Sequence, residues 1–405
     1  MDDVLSKVLE KIKPSKEEES YVSKLAADVM KRIKIKDAKV VLGGSGAKGT
    51  WLKGTHDIDI YVKFNPKKYK GKDISRILGK ELRKKFSKVT SLHGSRNYFR
   101  IKKGNFTFEI VPIMDIKKAS EAFNITDISP LHTEWVRKHS KLADDIRLAK
   151  AFCRAQSCYG AESYIRGFSG YVLEILVINY GSFEKFIRAA ANWKSREYID
   201  FAKHGVELNR AKMQSPLILI DPVQPDRNAA AALSREQYDK LIAAARKFFM
   251  HPSEDFFVKK EFTVDDLREK AKGKTLILFD VVPLTGKEDV VGAKLLKAFN
   301  YLKNSFLKEG FTIFESSWSW NKKALFYFIV NAGLLPEFRI HEGPKVSQER
   351  HSSRFREKNK RYELFESKGR LCAKIPRKFR DAKSFSKNII KDKNLKQWVK
   401  KVSLV

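Results

Sequence analysis

A glycine-rich turn between two short strands, within residues 43–59, constrains the fold more than any other part of the sequence. An apolar run at 39–42 leads into Gly44-Ser45, and a strand with period-two alternation follows at 58–62. A strand that enters a Gly-Ser turn and continues into a helix brings backbone N–H groups, a hydroxyl and the positive helix end to one point, which suits a triphosphate. The turn is not a Walker A loop, because its lysine precedes the glycine that it should follow. We therefore predict an α/β unit with a phosphate site at this turn.

Two carboxylates follow the turn on the next strand. Asp57 and Asp59 are two residues apart, so their side chains lie on one face, roughly 6.6 Å apart along the backbone. Carboxylates in this arrangement can converge on two metal ions about 3.5–4 Å apart, although an Asp-X-Asp at the start of a strand is more often a solvated turn. Glu109 interrupts the apolar strand 108–112, where a lone buried carboxylate is costly unless it is paired or binds a metal. These three residues are the candidate catalytic and metal-binding carboxylates.

The predicted elements divide the chain into four parts and indicate a multidomain α+β protein. We predict an α/β catalytic domain at 1–130 and a helical central domain at 131–260, with one lone strand at 217–220. A β-α-β-β unit follows at 261–340. The last part, 341–405, carries 20 Lys and Arg against 7 Asp and Glu, and its interspersed aromatic residues favour a folded basic surface over a disordered tail.

Charge and cysteine content narrow the class of function. Lys and Arg number 82 against 48 Asp and Glu, a net charge of +34, which is most simply explained by a polyanionic partner such as nucleic acid. The three cysteines cannot form a disulfide framework and have no zinc-site spacing, so we predict a reducing, cytoplasmic location. The longest apolar stretches, 171–180 and 324–335, are shorter than the roughly 20 residues that span a bilayer, and we expect no membrane segment.

The Gly-Ser turn, the two-carboxylate strand and the third carboxylate resemble the DNA polymerase beta nucleotidyltransferase superfamily. Further motifs, in the same order along nearly the whole chain, resemble the archaeal, class I tRNA CCA-adding enzymes. These motifs are Gly-Thr-Trp-Leu-Lys-Gly-Thr at 49–55, Tyr-Gly-Ala-Glu at 159–162, Arg-Gly-Phe-Ser-Gly-Tyr at 166–171, Tyr-Gly-Ser-Phe at 180–183, and Asp-Pro-Val at 221–223 with Arg227-Asn228. The resemblance implies an enzyme that adds C, C and A stepwise to the 3′ end of tRNA from CTP and ATP, without a nucleic-acid template.

Carried over by position, the resemblance implies that Asp57, Asp59 and Glu109 hold two Mg²⁺ ions. One ion would activate the primer 3′-hydroxyl, and the other would hold the triphosphate of the incoming nucleotide. The reaction is then an in-line attack on the α-phosphorus that releases pyrophosphate. The family usually has Asp where this chain has Glu109, which is one methylene longer but supplies the same ligand atoms.

The resemblance also implies a set of nucleotide-binding residues, which are Gly44, Ser45, Lys48, His132, Lys150, Tyr159 and Arg227. The first three would contact the triphosphate, with Lys48 at a position where the family more often has Arg. Lys150 and Tyr159 match family residues around the triphosphate and sugar, as does His132. Taken alone, Lys150 on an amphipathic helix is a solvated lysine, and Tyr159 near a helix end is a core residue.

Arg227 is the residue that the resemblance assigns to base selection. A guanidinium can donate hydrogen bonds to the acceptor-rich edge of cytosine and to the ring nitrogen of adenine, which would exclude G and U. Its neighbour Asn228 has an ordinary alternative role, to cap the alanine-rich segment that follows.

Three functions remain open at this point. The first is CCA addition, with tRNA as the partner and its acceptor and T-arm bound by the basic region from about residue 340. A poly(A) polymerase or an oligoadenylate-type synthase would share the Gly-Ser turn and carboxylates, and only addition of CTP as well as ATP separates them. A catalytically dead RNA-binding protein is disfavoured by the three retained carboxylates. The resemblance leaves both a monomer and a homodimer open.

Overall fold

The computed structural model describes residues 1–259, 263–321 and 323–405. The chain divides into two compact units, Met1–Lys260 and Glu261–Val405. Both combine helices with strands, which confirms the predicted α+β class, whereas the finer division into four parts stays a prediction. No helix in the described ranges is long and apolar enough to cross a membrane.

The N-terminal half of the first unit is built on a five-stranded sheet. Its elements are α1 (Asp2–Ile12), α2 (Lys16–Arg32), β1 (Ala38–Leu42), α3 (Gly44–Lys48), β2 (Asp57–Phe64), α4 (Pro66–Tyr69), α5 (Ile74–Lys85), β3 (Thr90–Leu92), β4 (Tyr98–Lys103) and β5 (Phe106–Met114). The strand order is β1-β2-β5-β4-β3, and β2 and β5 run parallel. In β2 the residues from Ile58 to Phe64 alternate, and every second one is buried against α2 and α5. Asp57 and Asp59 therefore lie on the opposite face of the sheet.

The remainder of the first unit is mainly helical. Its elements are α6 (Ser129–Arg137), α7 (Ala143–Ala155), α8 (Gly170–Tyr180), α9 (Phe183–Ala191), β6 (Glu197–Ile199), β7 (Leu217–Leu219) and α10 (Arg235–Met250). Ser169 caps α8 by accepting a hydrogen bond from the Val172 N–H, at 3.2 Å. Helix α8 is apolar along most of its length, and all residues from Val172 to Ile178 are buried. The strand predicted at 217–220 is present as β7. The prediction that it stands alone was wrong, because β7 pairs in parallel with β6.

The second unit contains two antiparallel sheets. Its elements are α11 (Val264–Lys270), β8 (Thr275–Pro283), α12 (Glu288–Glu309), β9 (Ile313–Trp320), β10 (Ala324–Val330), β11 (Phe338–Lys345), α13 (Glu349–Lys358), β12 (Glu363–Ser367), β13 (Arg370–Pro376), α14 (Ala382–Ile389) and β14 (Val399–Leu404). The β8-α12-β9-β10 order confirms the predicted β-α-β-β unit. The sheets have the orders β14-β8-β10-β9 and β11-β13-β12. Since β14 pairs with β8 and Phe385 is buried in the same core, the basic C-terminal region is part of this folded unit.

Candidate active site

The Gly-Ser turn lies directly against the carboxylate strand. The Gly43 N–H donates to the Asp59 carbonyl at 2.8 Å, which fixes the start of α3 beside β2. Gly44 has a φ of +53°, and a Cβ added there would lie 1.7 Å from Asp59 Oδ2. Any larger residue at this position would therefore combine left-handed backbone strain with a collision. The turn and the carboxylate that sequence analysis paired are neighbours in the fold.

The three candidate carboxylates lie on two adjacent strands. Asp59 on β2 is directly opposite Glu109 on β5, and Asp57 is opposite Thr107. Burial and the nearby negative charge of Glu109 together raise the pKa of Asp59 to about 6, although the charge of Lys48 lowers it in part. A carboxylate beside another carboxylate in a poorly solvated position is an arrangement that a bound cation would stabilise.

Glu109 is paired with an arginine in this structure. Arg100 Nη2 donates to Glu109 Oε1 at 2.5 Å, and the two residues are opposite each other on β4 and β5. Within the described parts of the chain, no group of three or more His, Cys, Asp or Glu side chains converges closely enough to hold a metal ion. The oxygen donor set nevertheless suits a hard divalent cation. Asp57 and Asp59 could hold such an ion, and Glu109 could join them, because its carboxylate has acceptor sites besides the one that Arg100 binds.

Two lysines and a threonine meet at one buried glutamate. Lys48 Nζ lies 2.7 Å from Glu174 Oε2, and Lys150 Nζ lies 2.8 Å from Glu174 Oε1. The Thr50 hydroxyl is within hydrogen-bond distance of both Glu174 Oε1 and Lys150 Nζ. Burial alone would raise the pKa of Glu174, but the charges of Lys150 and Lys48 lower it to about 2. We call these four residues the Glu174 cluster.

The Glu174 cluster changes the interpretation of Lys150. Its side chain is only 4% exposed, so the alternative of a solvated lysine was wrong. Its ammonium group is within hydrogen-bond distance of the Thr50 carbonyl, the Thr50 hydroxyl and Glu174, which together match its three N–H donors. Lys48 is 10% exposed and lies 5.3 Å from the ring centroid of Tyr171. Of the two lysines, Lys48 is therefore the better placed to meet a phosphate.

A second buried carboxylate, Asp221, joins residues from three segments. Its Oδ2 accepts a hydrogen bond from Arg227 Nη1 at 2.7 Å, and its Oδ1 accepts one from the Tyr171 hydroxyl at 2.9 Å. His132 Nε2 lies 3.0 Å from Oδ2, within ion-pairing distance, but makes no hydrogen bond of good geometry in the described parts of the chain. The His132 ring stacks on Tyr171 with centroids 4.1 Å apart. We call these four residues the Asp221 cluster.

The remaining predicted residues, Tyr159 and Ser45, lie close to these clusters. A Cβ added at Gly170 would lie 3.1 Å from the Tyr159 hydroxyl and 3.6 Å from Lys150 Cε, so Tyr159 lies beside Lys150. Its ring packs against the helical core and under the guanidinium of Arg154, at 4.8 Å. Ser45 lies on α3, three residues before Lys48. The predicted nucleotide-binding residues thus lie in the Gly-Ser turn, in or beside the Glu174 cluster, and in the Asp221 cluster, all within the first unit.

Sequence reasoning gave no role to four residues of this site, which are Arg100, Tyr171, Glu174 and Asp221, although Tyr171 and Asp221 belong to motifs that carry the resemblance. The sequence could have indicated that Glu174 and Asp221 are buried and paired, because each is a lone carboxylate within or at the end of an apolar run. The rule that a buried carboxylate needs a partner had been applied to Glu109 and applies equally to them. Asn228 Oδ1 accepts a hydrogen bond from the Ala230 N–H at the start of the alanine-rich segment, as the alternative role expected, and a second one from the Leu219 N–H, which ties β7 to its loop.

Family models and known proteins match most of this chain. Family models match over residues 22–127, described as a nucleotidyltransferase domain, over 144–258, described as the second domain of tRNA nucleotidyltransferase, and over 272–402, described as the C-terminal domain of the CCA-adding enzyme. The CCA-adding enzyme of Methanosarcina barkeri is 31% identical over 370 residues, which cover 87% of this chain and 80% of that protein. That of Nanoarchaeum equitans is 36% identical over 298 residues, covering 72% of each.

A solved structure shares the fold at low sequence identity. The Cid1 poly(U) polymerase with Mg and 3′-dATP bound has a TM-score of 0.51 and 15% identity, over 63% of this chain and 98% of that chain. At this identity the likeness shows a common fold and carries no argument about the reaction or the nucleotide.

Proposed function

This chain belongs to the family of archaeal CCA-adding enzymes, so it is a tRNA nucleotidyltransferase, and we propose how its residues divide the work of CCA addition. The domain match that separates it from a poly(A) polymerase is the CCA-specific one over 272–402. The substrates are then tRNA, CTP and ATP. The single observation that supports the placement of catalysis is the contact between the Gly-Ser turn and Asp59.

Nucleotidyltransferases of this superfamily generally use divalent metal ions, and we propose that Asp57, Asp59 and Glu109 hold two Mg²⁺ ions. When bound, these ions lower the pKa of the primer 3′-hydroxyl and offset the charge of the triphosphate. The protein contributes the orientation of the three carboxylates by placing them on adjacent parallel strands. Arg100 binds Oε1 of Glu109, and the carboxylate has further acceptor sites for an ion.

The triphosphate would lie at the start of α3. Gly44 lies against the Asp59 side chain, the Gly43 N–H donates to the Asp59 carbonyl, and Lys48 on the same helix has N–H donors left after its bond to Glu174. The phosphates would therefore lie between the carboxylates of β2 and the lysine of α3. In this position, the Gly-Ser turn, the carboxylates and Lys48 together would orient the α-phosphorus for in-line attack by the tRNA 3′-hydroxyl.

We propose that Arg227 selects the base and that the basic second unit binds the tRNA body. The Arg227 side chain is one-third exposed, whereas its partner Asp221 is fully buried, so the guanidinium can reach a base while anchored at one end. The region 341–405 would contact phosphates and helix shape, because the major groove of an A-form helix hides its base edges.

The experiment that tests this function is incubation of tRNA lacking its 3′ end with each labelled nucleotide in turn. We expect two C residues from CTP alone, one further A when ATP is present, and no extension from UTP or GTP. The Asp59→Asn variant serves as the negative control, because it keeps the shape of the side chain and removes the charge. A long run of A without C would instead identify a poly(A) polymerase.

A further inference from the structure

Asp221 is a buried carboxylate to which the proposed chemistry gives no direct role. It is 0% exposed, so it cannot touch a nucleotide. It nevertheless contacts two residues proposed to bind the nucleotide, Arg227 and His132, and it does so through the same oxygen, Oδ2. A group that fixes two ligand-contacting side chains without reaching the ligand is a positioning residue.

The other oxygen, Oδ1, holds the carboxylate itself in place. It accepts hydrogen bonds from the Tyr171 hydroxyl at 2.9 Å and from the backbone N–H groups of Val223 and Gln224, at 2.9 and 3.3 Å. The backbone N–H of Asp221 in turn donates to the Arg227 carbonyl at 3.0 Å. The loop that carries Arg227 is therefore anchored to α8 through one oxygen, while the second oxygen orients the guanidinium.

The anchoring of Arg227 matters because base selection depends on the direction in which the guanidinium N–H groups point. A guanidinium has five N–H donors in a rigid plane, and the Nη1 bond to Asp221 fixes the orientation of that plane. A long side chain that is one-third exposed would otherwise sample several rotamers, and its donors could then meet the edges of several bases. A fixed plane presents one donor pattern, which complements some base edges and leaves others unpaired.

We propose that Asp221 is a positioning residue for base selection, which sets the plane of the Arg227 guanidinium and thereby determines which nucleotides the enzyme accepts. This inference rests on the proposed role of Arg227 as the base-reading residue. In this division, Asp221 serves base selection through Arg227, whereas Glu174 serves phosphate binding through Lys48.

The variant Asp221→Asn tests the inference with little disturbance of the loop. Its remaining carbonyl oxygen can still accept the hydrogen bonds of Tyr171, Val223 and Gln224, while an amide N–H₂ group replaces Oδ2 and faces the guanidinium donor to donor. The measurement is kcat/KM for CTP, ATP, UTP and GTP with tRNA primers ending before C and before A. We expect the preference for CTP over UTP to fall about tenfold or more, with the KM for tRNA unchanged.

Three further variants make the result specific. Asp226→Asn makes the same chemical change in the same loop at an exposed residue that pairs with Lys212, and we expect no change in nucleotide preference. Arg227→Ala should relax the preference, and the double variant D221N/R227A should be no less selective than R227A alone, because Asp221 acts through Arg227. If D221N fails to fold, Asp221→Glu, which keeps the charge but moves the guanidinium, replaces it in the same comparison.

The outcomes separate failure of this inference from failure of the proposed function. A parent enzyme that does not add C and A refutes the function. An R227A variant with unchanged preference refutes the role of Arg227, and with it the premise of the inference. If R227A relaxes the preference while a folded D221N retains the parent ratio within twofold, the inference alone is overturned. An equal loss of rate for all four nucleotides in D221N overturns it as well, since that result indicates a structural role.

Discussion

Replacing Glu174 by Gln should destabilise the first unit by about 3 kcal/mol at neutral pH. The carboxylate is 1% exposed and lies between two ammonium groups that are 10% and 4% exposed. Gln keeps the size of the side chain but removes the charge, so Lys48 and Lys150 lose their shared counter-ion. Removing one partner of a buried ion pair typically costs about 3–5 kcal/mol, because the remaining charge is left uncompensated in a poorly solvated site.

The pKa of Glu174 gives a second value for the same interaction. It falls from an ordinary value of 4.5 to about 2, because the two lysines outweigh the effect of burial. At 1.36 kcal/mol per pKa unit this shift corresponds to roughly 3 kcal/mol. Since the pKa is lowered on folding, the stabilisation is present above pH 4.5 and is lost as the pH falls from 4.5 towards 2. Both arguments therefore lead to a loss of about 3 kcal/mol.

The assay is equilibrium unfolding of the full chain in urea between pH 7 and pH 3. Hydrogen exchange on residues 1–260 identifies the transition of the first unit, because a chain of two units need not unfold in one step. We expect E174Q to lower the unfolding free energy of that unit at pH 7. We also expect the stability of the variant to depend less on pH below 4.5 than that of the parent.

Two control variants make the Glu174 prediction specific. Glu184→Gln breaks an exposed i,i+4 pair with Arg188 on α9, and we expect it to cost less than about 0.5 kcal/mol. Lys150→Met in the E174Q background should recover part of the loss by removing one unpaired ammonium group. Unchanged stability of E174Q at pH 7, or a pH profile parallel to that of the parent, would refute the argument.

Three further predictions concern the catalytic site and tRNA binding. Gly44→Ala should reduce nucleotide addition in a primer-extension assay by at least about 100-fold, because the added Cβ collides with Asp59. Gly49→Ala is the control, because Gly49 also has a positive φ, +67°, but an added Cβ there meets no described atom within 4 Å. We expect this control to keep the rate within about tenfold. Glu109→Asp should retain substantial addition and Glu109→Ala should lose it, and an E109A variant as active as the parent would exclude Glu109 as a metal ligand. Replacing Arg350, Arg354 and Lys358 by Gln should weaken tRNA binding and flatten its salt dependence, by up to about 0.9 in log–log slope for each lost phosphate contact; filter binding at several salt concentrations checks this, and an unchanged slope would exclude α13 from the interface.

Deletion of residues 341–405 would be a simpler experiment on tRNA binding, but it would disrupt the fold of the second unit. That deletion would remove β14 from the sheet that it shares with β8 and Phe385 from the core of the second unit. Loss of tRNA binding would then report unfolding. Charge removal on the exposed α13 changes the electrostatics and leaves the buried contacts in place.

The fold and the placement of the carboxylates could be predicted because local pattern determines them. The alternation of β2 places Asp57 and Asp59 on one face, and the glycines of the turn indicate a backbone that few other residues adopt. The partners of Lys48 could not be predicted in the same way. Glu174 is 126 residues away along the chain, and only the packing of α7 and α8 beside α3 brings the three residues together. The functional roles of these residues stay predictions.

The arrangement of charge supports the prediction that the two clusters belong to one site. The strands β2 and β5 carry carboxylates, while the Glu174 cluster has two ammonium groups for one carboxylate and therefore keeps an excess of positive charge beside them. Tyr171 and Glu174 are one turn apart on α8, so the same helix anchors the Asp221 cluster and the Glu174 cluster. Lys48 lies over the ring of Tyr171 and also lowers the pKa of Asp59. The proposed substrate, a nucleotide with bound divalent ions, carries both signs of charge, and the site supplies both, with carboxylates on β2 and β5 and Lys48 and Arg227 held by buried carboxylates.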